Sequence, residues 1–447
     1  MATESIRLGN EPYGGYHKPK DRPSDDEIAR VGPGTPCGEY LRRFWQPIMM
    51  SERVTDRPLP IRILGEDLVL YRDLSGDVGL VHKHCSHRGM SLEFGIIAEH
   101  GIRCAYHGWM FGRDGRILDT PGEPPQSVLK QRICQGAYPL VEFRGLIFGY
   151  FGPPEKRPPF PHLDVMDLPG NDMVPWQIHS PCNWLQVSEN SMDPYHTPFL
   201  HTRMSGVQFE DIWGELPVMD FHEREHGFFY TNARRSGDNI WIRIHDHLLP
   251  NFSQNGGLFE RGETIRYFGR PSLTRWVVPI DDTNTWVIAW RNVNQEDDPE
   301  GRTKRDEIGW GSVDFYGQSV DRPYEQRQSN PGDWDAWVSQ GPINSHEREH
   351  LGFTDQGVRL LRRGLRKGIR DLAQGIDPVP FAGSNEAPVP TYAGDTILRI
   401  PRGEGDDRAL ILETSRRLAA VYLEFAHLPV LERRRAIAQA LGPLNVA

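Results

Sequence analysis

Four residues in one short stretch have the types and spacing to hold metal. Residues 82–112 read HKHCSHRGMSLEFGIIAEHGIRCAYHGWMFG, in which Cys85 and His87 form C-x-H and Cys104 and His107 form C-x-x-H. Two close pairs, each on its own loop, can clamp a compact inorganic centre from two sides. Two thiolates on one iron and two imidazoles on the other describe a [2Fe–2S] cluster of raised potential, because imidazole donates less electron density than thiolate. Gly89, Gly101 and Gly108 suit loops whose backbone comes close to inorganic sulfide. A structural Cys2His2 zinc site is the alternative at this spacing. His82, His84 and His100 are read as ordinary loop histidines.

A second set lies at 183–201, NWLQVSENSMDPYHTPFLH. His196 and His201 are five apart, and on a helix or helix-like turn they are expected near the same face, so that both imidazoles can bind one metal. Two histidines and one distant carboxylate make the facial triad of oxygen-activating ferrous enzymes, which leaves coordination positions open. The expected third ligand is Asp355, in HLGFTDQGVRLLRR, on the inward side of a helix with Val358. The competing reading of Asp355 is a helix N-terminal charge. Asp193, three residues before His196, is placed to accept the second ring N–H of that ligand.

These residues need scaffolding of two kinds. From Pro60, Ile61, Ile63, Leu68, Leu70, Val78 and Leu80 alternate with polar residues, broken at Gly65-Glu66-Asp67 and Ser75-Gly76-Asp77; the pattern predicts short antiparallel strands as far as Phe151. The first 40 residues, rich in Gly and Pro, read as an extended arm, and Glu39–Met50 as a short helix interrupted by Pro47. Prolines 153, 154, 158, 159 and 161 mark a stiff boundary. The division is therefore an arm over 1–40, a β domain over 41–158 and a catalytic domain over 159–447. The latter holds strands at 228–235, 239–245, 263–268, 275–280 and 285–293. Thr354–Gln374 predicts an amphipathic helix with Thr354 as its cap, and Thr414–Leu441 a last helix. The fold class is α+β.

The chain has 447 residues, 25% of them charged, with a formal net charge of -10. That balance argues against nucleic acid as a partner. No stretch approaches the roughly 20 apolar residues of a membrane span, and residues 1–10 hold no apolar h-region, so a cytoplasmic protein is expected. Five scattered cysteines do not read as a disulfide framework. In Ile240–His245, Trp241, Arg243 and His245 share one strand face. Facing a pocket, Trp241 would stack an aromatic ring and Arg243 pair with a carboxylate; the alternative is a solvated outer face. Arg234 and Arg235 are weaker candidates. The run Arg359, Arg362, Arg363, Arg366, Lys367 and Arg370 is read either as a docking patch for an acidic ferredoxin or as a solvated helix face.

His-Arg-Gly after the first pair and Gly-Trp after the second match the loops C-x-H-R-G and C-x-x-H-G-W of Rieske clusters. With D-x-x-H-x-x-x-x-H following, the chain resembles the terminal oxygenase (α) subunit of Rieske non-heme iron oxygenases along nearly its whole length. RVGPGTPCGEYLRRFWQP, GEDLVLYRD and EHLGFTDQGVRLLRR look like its phthalate dioxygenase branch, which includes O-demethylases of lignin-derived aromatic acids such as dehydrodivanillate O-demethylase. The resemblance implies a Rieske β-domain followed by a helix-grip domain, an antiparallel sheet wrapped around a long helix. It implies a [2Fe–2S] cluster on Cys85, His87, Cys104 and His107, and a mononuclear Fe(II) beside Asn190. It further implies head-to-tail trimers, sometimes stacked as hexamers, in which His107 meets Asp193 of the next subunit and Asp193 bridges electrons to His196. Electrons would come from NAD(P)H through a separate reductase or ferredoxin. The expected reaction is hydroxylation or O-demethylation of an aromatic carboxylic acid with O2; the alternative is cis-dihydroxylation of a phthalate-like acid. Pro194 and Tyr195 depart from the small or polar residues usual between Asp and the first His, and point to a differently shaped pocket.

Overall fold

The structure, a computed structural model, describes residues 24–204, 207–258, 265–296, 298–315, 317–378 and 388–445. Alternating apolar residues produce the strands expected of them. Leu59–Ile63, Glu66–Arg72, Val78–His82 and Ala137–Tyr138 form one four-stranded antiparallel sheet, and Ile96–Ala98, Gly101–Arg103, Met110–Phe111 and Ile117–Asp119 a second. The first hairpin turns on Leu64 and Gly65, both at positive φ, the backbone that a tight two-residue hairpin requires. Val69, Tyr71, Val81, Ile102, Trp109 and Phe111 pack together in a small core that takes in Cys85 and Cys104.

The chain before these sheets differs from the reading of its sequence. Where described, it is no extended arm. Asp26–Ala29 and Pro36–Leu41 are short helices with Ile28, Val31, Cys37 and Leu41 fully buried. Thr35 caps the second by accepting from the Gly38 N–H, and Pro36 suits the first helical position, where no N–H is needed. Pro47 interrupts no helix: Trp45–Met50 is a strand paired with Leu146–Tyr150, and the proline is accommodated beside a bulge between Pro47 and Met49.

Beyond the proline-rich boundary, a nine-stranded antiparallel sheet organises the larger part. Its main path runs Asp172–Ser180, Asn284–Val293, Leu273–Asp281, Phe252–Asn255, Asn239–Leu248, Gly227–Ser236, Val218–Arg224. Asn239–Leu248 is buried on both faces. Ile240, Ile242 and Ile244 pack in a core with Leu418, Tyr422, Ile437 and Leu441 of the two C-terminal helices, so Trp241, Arg243 and His245 turn inward and no solvated outer face exists there. Those helices, Asp407–Glu424 and Val430–Leu441, replace the single one expected over 414–441, because Pro429 ends the run. On the other side, Leu361, Leu365 and Ile369 of the helix Gln356–Ala373 pack in a core with Phe228 and Tyr230. This is an α+β helix-grip arrangement. Among the described residues, no helix is long and apolar enough to cross a membrane.

The cations of Gln356–Ala373 are already engaged. Arg363 pairs with Glu223, Arg366 with Asp25 and Glu27, Arg370 with Glu27, Lys367 with Asp371, and Arg359 donates to the Leu351 carbonyl. They do not form a free basic patch for a ferredoxin. Arg362 does most for the site. It donates to both carboxylate oxygens of Glu189 (2.5 and 2.9 Å) and both of Glu349 (2.5 and 2.9 Å), tying the long helix to the helix Trp184–Asn190. Arg362→Leu would leave two carboxylates facing each other nearly out of water. A loss of roughly 3–5 kcal/mol is expected in denaturant unfolding, partly recovered by the double change Arg362→Leu/Glu189→Leu.

Candidate metal centres and the cavity between them and the sheet

Each cysteine of the first constellation opens the same turn. Cys85 N–H donates to Met90 O (2.9 Å) and Gly89 N–H to Cys85 O (2.8 Å); Cys104 N–H donates to Trp109 O (2.8 Å) and Gly108 N–H to Cys104 O (3.0 Å). Gly89 and Gly108 close these turns at φ of 77° and 74°, a region unfavourable to other residues. Gly101 serves a different purpose: a Cβ there would meet Phe111 O at 2.0 Å, so it permits strand pairing. The two turns bring like donors together. The thiols of Cys85 and Cys104 are buried and adjacent, and burial, then the neighbouring thiol, pushes the Cys85 pKa up. The rings of His87 and His107 stand 4.6 Å apart nearer the surface, with His87 stacked on Trp109 at 4.4 Å and its buried Nδ1 lacking a hydrogen-bond partner. Paired thiols on one side and paired imidazoles on the other fit a binuclear cluster with a different ligand pair on each iron. His84 bonds the Gly89 carbonyl (3.0 Å) and, with the exposed His100, is a loop histidine, whereas His82, expected in a loop, ends the strand Val78–His82 and lies 3.4 Å from the Tyr138 hydroxyl.

The second constellation is assembled by an unusual local backbone. Asp193 caps a 3-10 turn, Pro194–His196, by accepting from the Tyr195 N–H (3.0 Å), and a π-turn, Phe199–Arg203, follows. Five residues around a regular α-helix would leave two side chains about 140° apart. The tight turn followed by the wide one instead turns both imidazoles to the same point. His196 Nε2 and His201 Nε2 each lie 3.4 Å from Oδ1 of Asp333. These three residues form a group that could hold a metal ion.

Asp355 is not in this group. Its Oδ2 accepts from the Gly352 N–H (2.6 Å) at the start of the long helix, and the carboxylate serves the helix terminus that the competing reading assigned to it. Asp333 stands in its place, in the first turn of the short helix Asp333–Val338. Trp334 and Trp337 anchor that helix, donating to His179 O (2.9 Å) and Ser180 Oγ (3.0 Å). Two tryptophans interleaved with two aspartates in DWDAW were the available signal. Nothing in the local pattern separated Asp333 from Asp335, which binds Arg322 and Arg327.

Neighbours prepare the three donors. Asn190 Nδ2 donates to Asp333 Oδ1 (3.2 Å) and Gln318 Nε2 to Oδ2 (2.8 Å). His201 Nδ1 lies 2.7 Å from Gln208 Oε1, an acceptor, so Nδ1 carries the proton and Nε2 keeps its lone pair for a metal. Asp193 Oδ2 is 3.7 Å from His196 Nδ1, facing it but beyond hydrogen-bond length. Burial opposes charge on His196, yet Asp193 and Asp333 outweigh it and push that imidazole up to about 10. Burial likewise opposes charge on Asp333, and His201 and His196 overcome it, holding the carboxyl well below its usual range. The point where the three meet calls for a cation. Neither Gln208 nor Gln318 was evident in the sequence.

Above this point is a cavity of about 50 Å³, walled by Phe209, Trp213, Tyr230 and Phe315 and by three cationic or imidazole side chains from the sheet, Arg243, His245 and Arg275. Arg243 is 2% exposed and donates Nε–H to Gly257 O (2.6 Å), its guanidinium 4.0 Å from the Trp213 ring. Arg275 is 6% exposed and donates Nε–H to Ser253 Oγ (3.0 Å). Among the described residues neither forms a salt bridge with a carboxylate, and Asp395 and Asp333 favour their charges only from farther off. Burial lowers the pKa of both, Arg243 to about 10, which leaves it cationic at neutral pH. Burial, then Arg243 and Arg275, hold His245 far below its usual value, hence neutral. Trp241 does not line this space. It sits behind Trp213, 6.1 Å away and edge-on, with its Nε1–H given to Asp395 Oδ2 (2.9 Å). Arg234 is used up on Glu215 O, Asn232 Oδ1 and Thr197 Oγ1, and Arg235 on Asp407. A larger cavity of about 880 Å³ lies away from these centres, where Arg224 pairs with Asp246 and Arg433 with Asp164.

Known proteins resemble this chain along most of its length. A profile of the Rieske [2Fe-2S] domain matches residues 44–135. The chain is 44% identical over 444 residues to the oxygenase subunit of tert-butanol monooxygenase / tert-amyl alcohol desaturase from Aquincola tertiaricarbonis, covering 95% of this chain and 94% of that one. It is 37% identical to the α subunit of phenoxybenzoate dioxygenase from Ectopseudomonas oleovorans (85% and 91% covered). With the oxygenase subunit of 5,5'-dehydrodivanillate O-demethylase from Sphingobium sp. (strain NBRC 103272 / SYK-6) it shares 33% identity (84% and 87% covered). The crystal structure of dicamba monooxygenase bound to dicamba superposes with a TM-score of 0.57 at 18% identity, over 75% of this chain and 99% of that one. With a cluster-binding β-domain, a second metal centre inside a helix-grip domain and relatives of this kind along its length, the chain belongs to the Rieske non-heme iron oxygenases, as a terminal oxygenase subunit carrying a [2Fe–2S] cluster and a mononuclear iron.

Proposed function

We propose that this oxygenase hydroxylates or O-demethylates an aromatic carboxylic acid, with the cluster held by Cys85, His87, Cys104 and His107 and the iron by His196, His201 and Asp333. The observation that carries the substrate class is the pair Arg243 and Arg275: two buried guanidinium groups lining the iron-side cavity, neither in a salt bridge among the described residues. Buried charges are ordinarily paired, and an unpaired one is costly. A substrate carboxylate supplies the missing charge and is held bidentately. The rings of Phe209, Trp213, Tyr230 and Phe315 supply apolar walls for an aromatic body.

Bound iron supplies open coordination positions for dioxygen, and the cluster supplies single electrons. Around them the chain does the rest. Asn190 and Gln318 orient the Asp333 carboxylate, Gln208 fixes the His201 tautomer, and Arg243 and Arg275 present one carbon of the substrate to the reacting face. Insertion of one oxygen atom into a C–H bond consumes two electrons and two protons and releases water. At a methoxy carbon the product is a hemiacetal that releases formaldehyde. Adding both atoms across a ring edge gives a cis-dihydrodiol instead. Electrons come from a separate reductase or ferredoxin in the cytoplasm. Asp193, its side chain about a third exposed (32%), is positioned to meet His107 of another copy in a head-to-tail trimer and to pass the electron to His196.

A second reading is a small tertiary alcohol as substrate. It is favoured by the narrow cavity, far below the roughly 300–1,000 Å³ of common ligand sites, and by the 44% identity to the tert-butanol monooxygenase subunit. Turnover with a competent reductase on methoxylated and plain aromatic acids and on tert-butanol separates the two. Formaldehyde or a hydroxylated acid, with kcat/KM falling about 100-fold in Arg275→Met or Arg243→Met, is the expected result. A diol from tert-butanol, with those variants fully active, contradicts it. Asp333→Ala should lose the mononuclear iron while keeping the cluster's visible spectrum. Asp355→Ala should keep both metals and lose at most about 1 kcal/mol of stability; iron analysis and denaturant unfolding check the pair.

A further inference from the structure

Both cluster loops are braced by side chains that are not ligands, and the brace on the first comes from far along the chain. Gln135 is 2% exposed. Its Nε2 donates to the carbonyls of His82 (2.8 Å) and His84 (2.9 Å), and its Oε1 accepts from the Ser86 N–H (2.8 Å). One amide thus fastens the backbone on both sides of Cys85. Gln135 is itself fixed, its N–H given to Gly115 O (2.8 Å) in a loop so close that a Cβ on Gly115 would meet Gln135 O at 2.0 Å. The second loop has a counterpart in Arg103, which donates to Gly108 O (2.5 Å) and Asp119 Oδ2 (2.8 Å).

We propose that Gln135 is a positioning residue that tunes the reduction potential of the cluster by fixing the orientation of the peptide groups around Cys85. This rests on the assignment of Cys85 and His87 as ligands. A cluster gains negative charge on reduction, so its potential depends on which peptide dipoles point at it and how well N–H groups reach its sulfurs. Gln135 turns the His82 and His84 carbonyl oxygens toward its own amide. Freed, these carbonyls can swing and the loop can loosen. Both changes disfavour the reduced state, and the potential falls.

The test is redox titration of the purified full chain, monitored by the electron paramagnetic resonance signal of the reduced cluster, for wild type, Gln135→Leu and Gln135→Glu. Gln135→Leu removes all three bonds. Gln135→Glu keeps the acceptor for Ser86 and loses both donors. Both variants are expected to hold a cluster with shifted g values and a lower midpoint potential, the glutamate variant lower still because it adds negative charge. Loaded clusters with wild-type potential and g values, a potential that rises, or failure of both variants to load any cluster would each reduce Gln135 to a fold-stabilising residue and overturn the proposal. Absence of the signal from wild type would instead refute the ligand assignment.

Discussion

A carboxylate nearly removed from water, with two imidazole nitrogens directed at one of its oxygens, persists only if positive charge sits among them. Asp333, His196 and His201 make such a point, and much of the larger domain serves to keep it in place. The short helix carrying Asp333 is pinned by two tryptophans. The helix ending at Asn190 is held by Arg362 to the long helix behind it. The tight and wide turns that carry the histidines follow directly from that helix. A divalent metal satisfies all three donors at once, and Asn190 and Gln318 satisfy what remains of the carboxylate.

The same rule, that buried charge must be matched, operates with the opposite sign a few ångströms away. Arg243 and Arg275 reach the cavity from neighbouring parts of one sheet, and Trp213, rather than an acid, covers the first of them. An unmatched cation beside a metal that already carries positive charge is an arrangement suited to an anion that arrives from outside. The fold therefore separates its duties: one face of the strand Asn239–Leu248 builds the apolar core with the C-terminal helices, and the other presents Arg243 and His245 to the cavity beside the histidines.

How much of this could be read beforehand depended on sequence distance. The cluster turns are local, and both C-x-H and C-x-x-H carry their glycine with them, the second its tryptophan as well, so their chemistry was legible without a fold. The alternation in 240–245 puts Arg243 and His245 on one face, as in the structure. Trp241 shares that face, yet its register puts it behind Trp213, which no periodicity of a single strand could reveal. Asp355 opens a strongly amphipathic helix and reads as inward-facing, but a helix start has its own need for a carboxylate, and Gly352 N–H takes it. Asp333 lies in a short helix too brief to show a pattern, and only the packing of Trp334 and Trp337 brings it to the histidines. Pro47 reads as a helix interruption but sits in a strand beside a bulge, where tertiary pairing overrides the local preference, whereas the helix break before Pro429 is a local signal that the expectation of one helix over 414–441 passes over.

The central claim is that two unlike iron centres share this one chain, the first storing an electron beside Cys85 and Cys104 and the second meeting oxygen at Asp333. Mössbauer spectroscopy of anaerobically purified, iron-57-enriched protein addresses it directly. The account predicts a [2Fe–2S] pair whose two irons become distinguishable on reduction, together with one high-spin ferrous iron per cluster. Protein that contains zinc in place of the cluster, or a cluster with no accompanying high-spin ferrous iron, would contradict it.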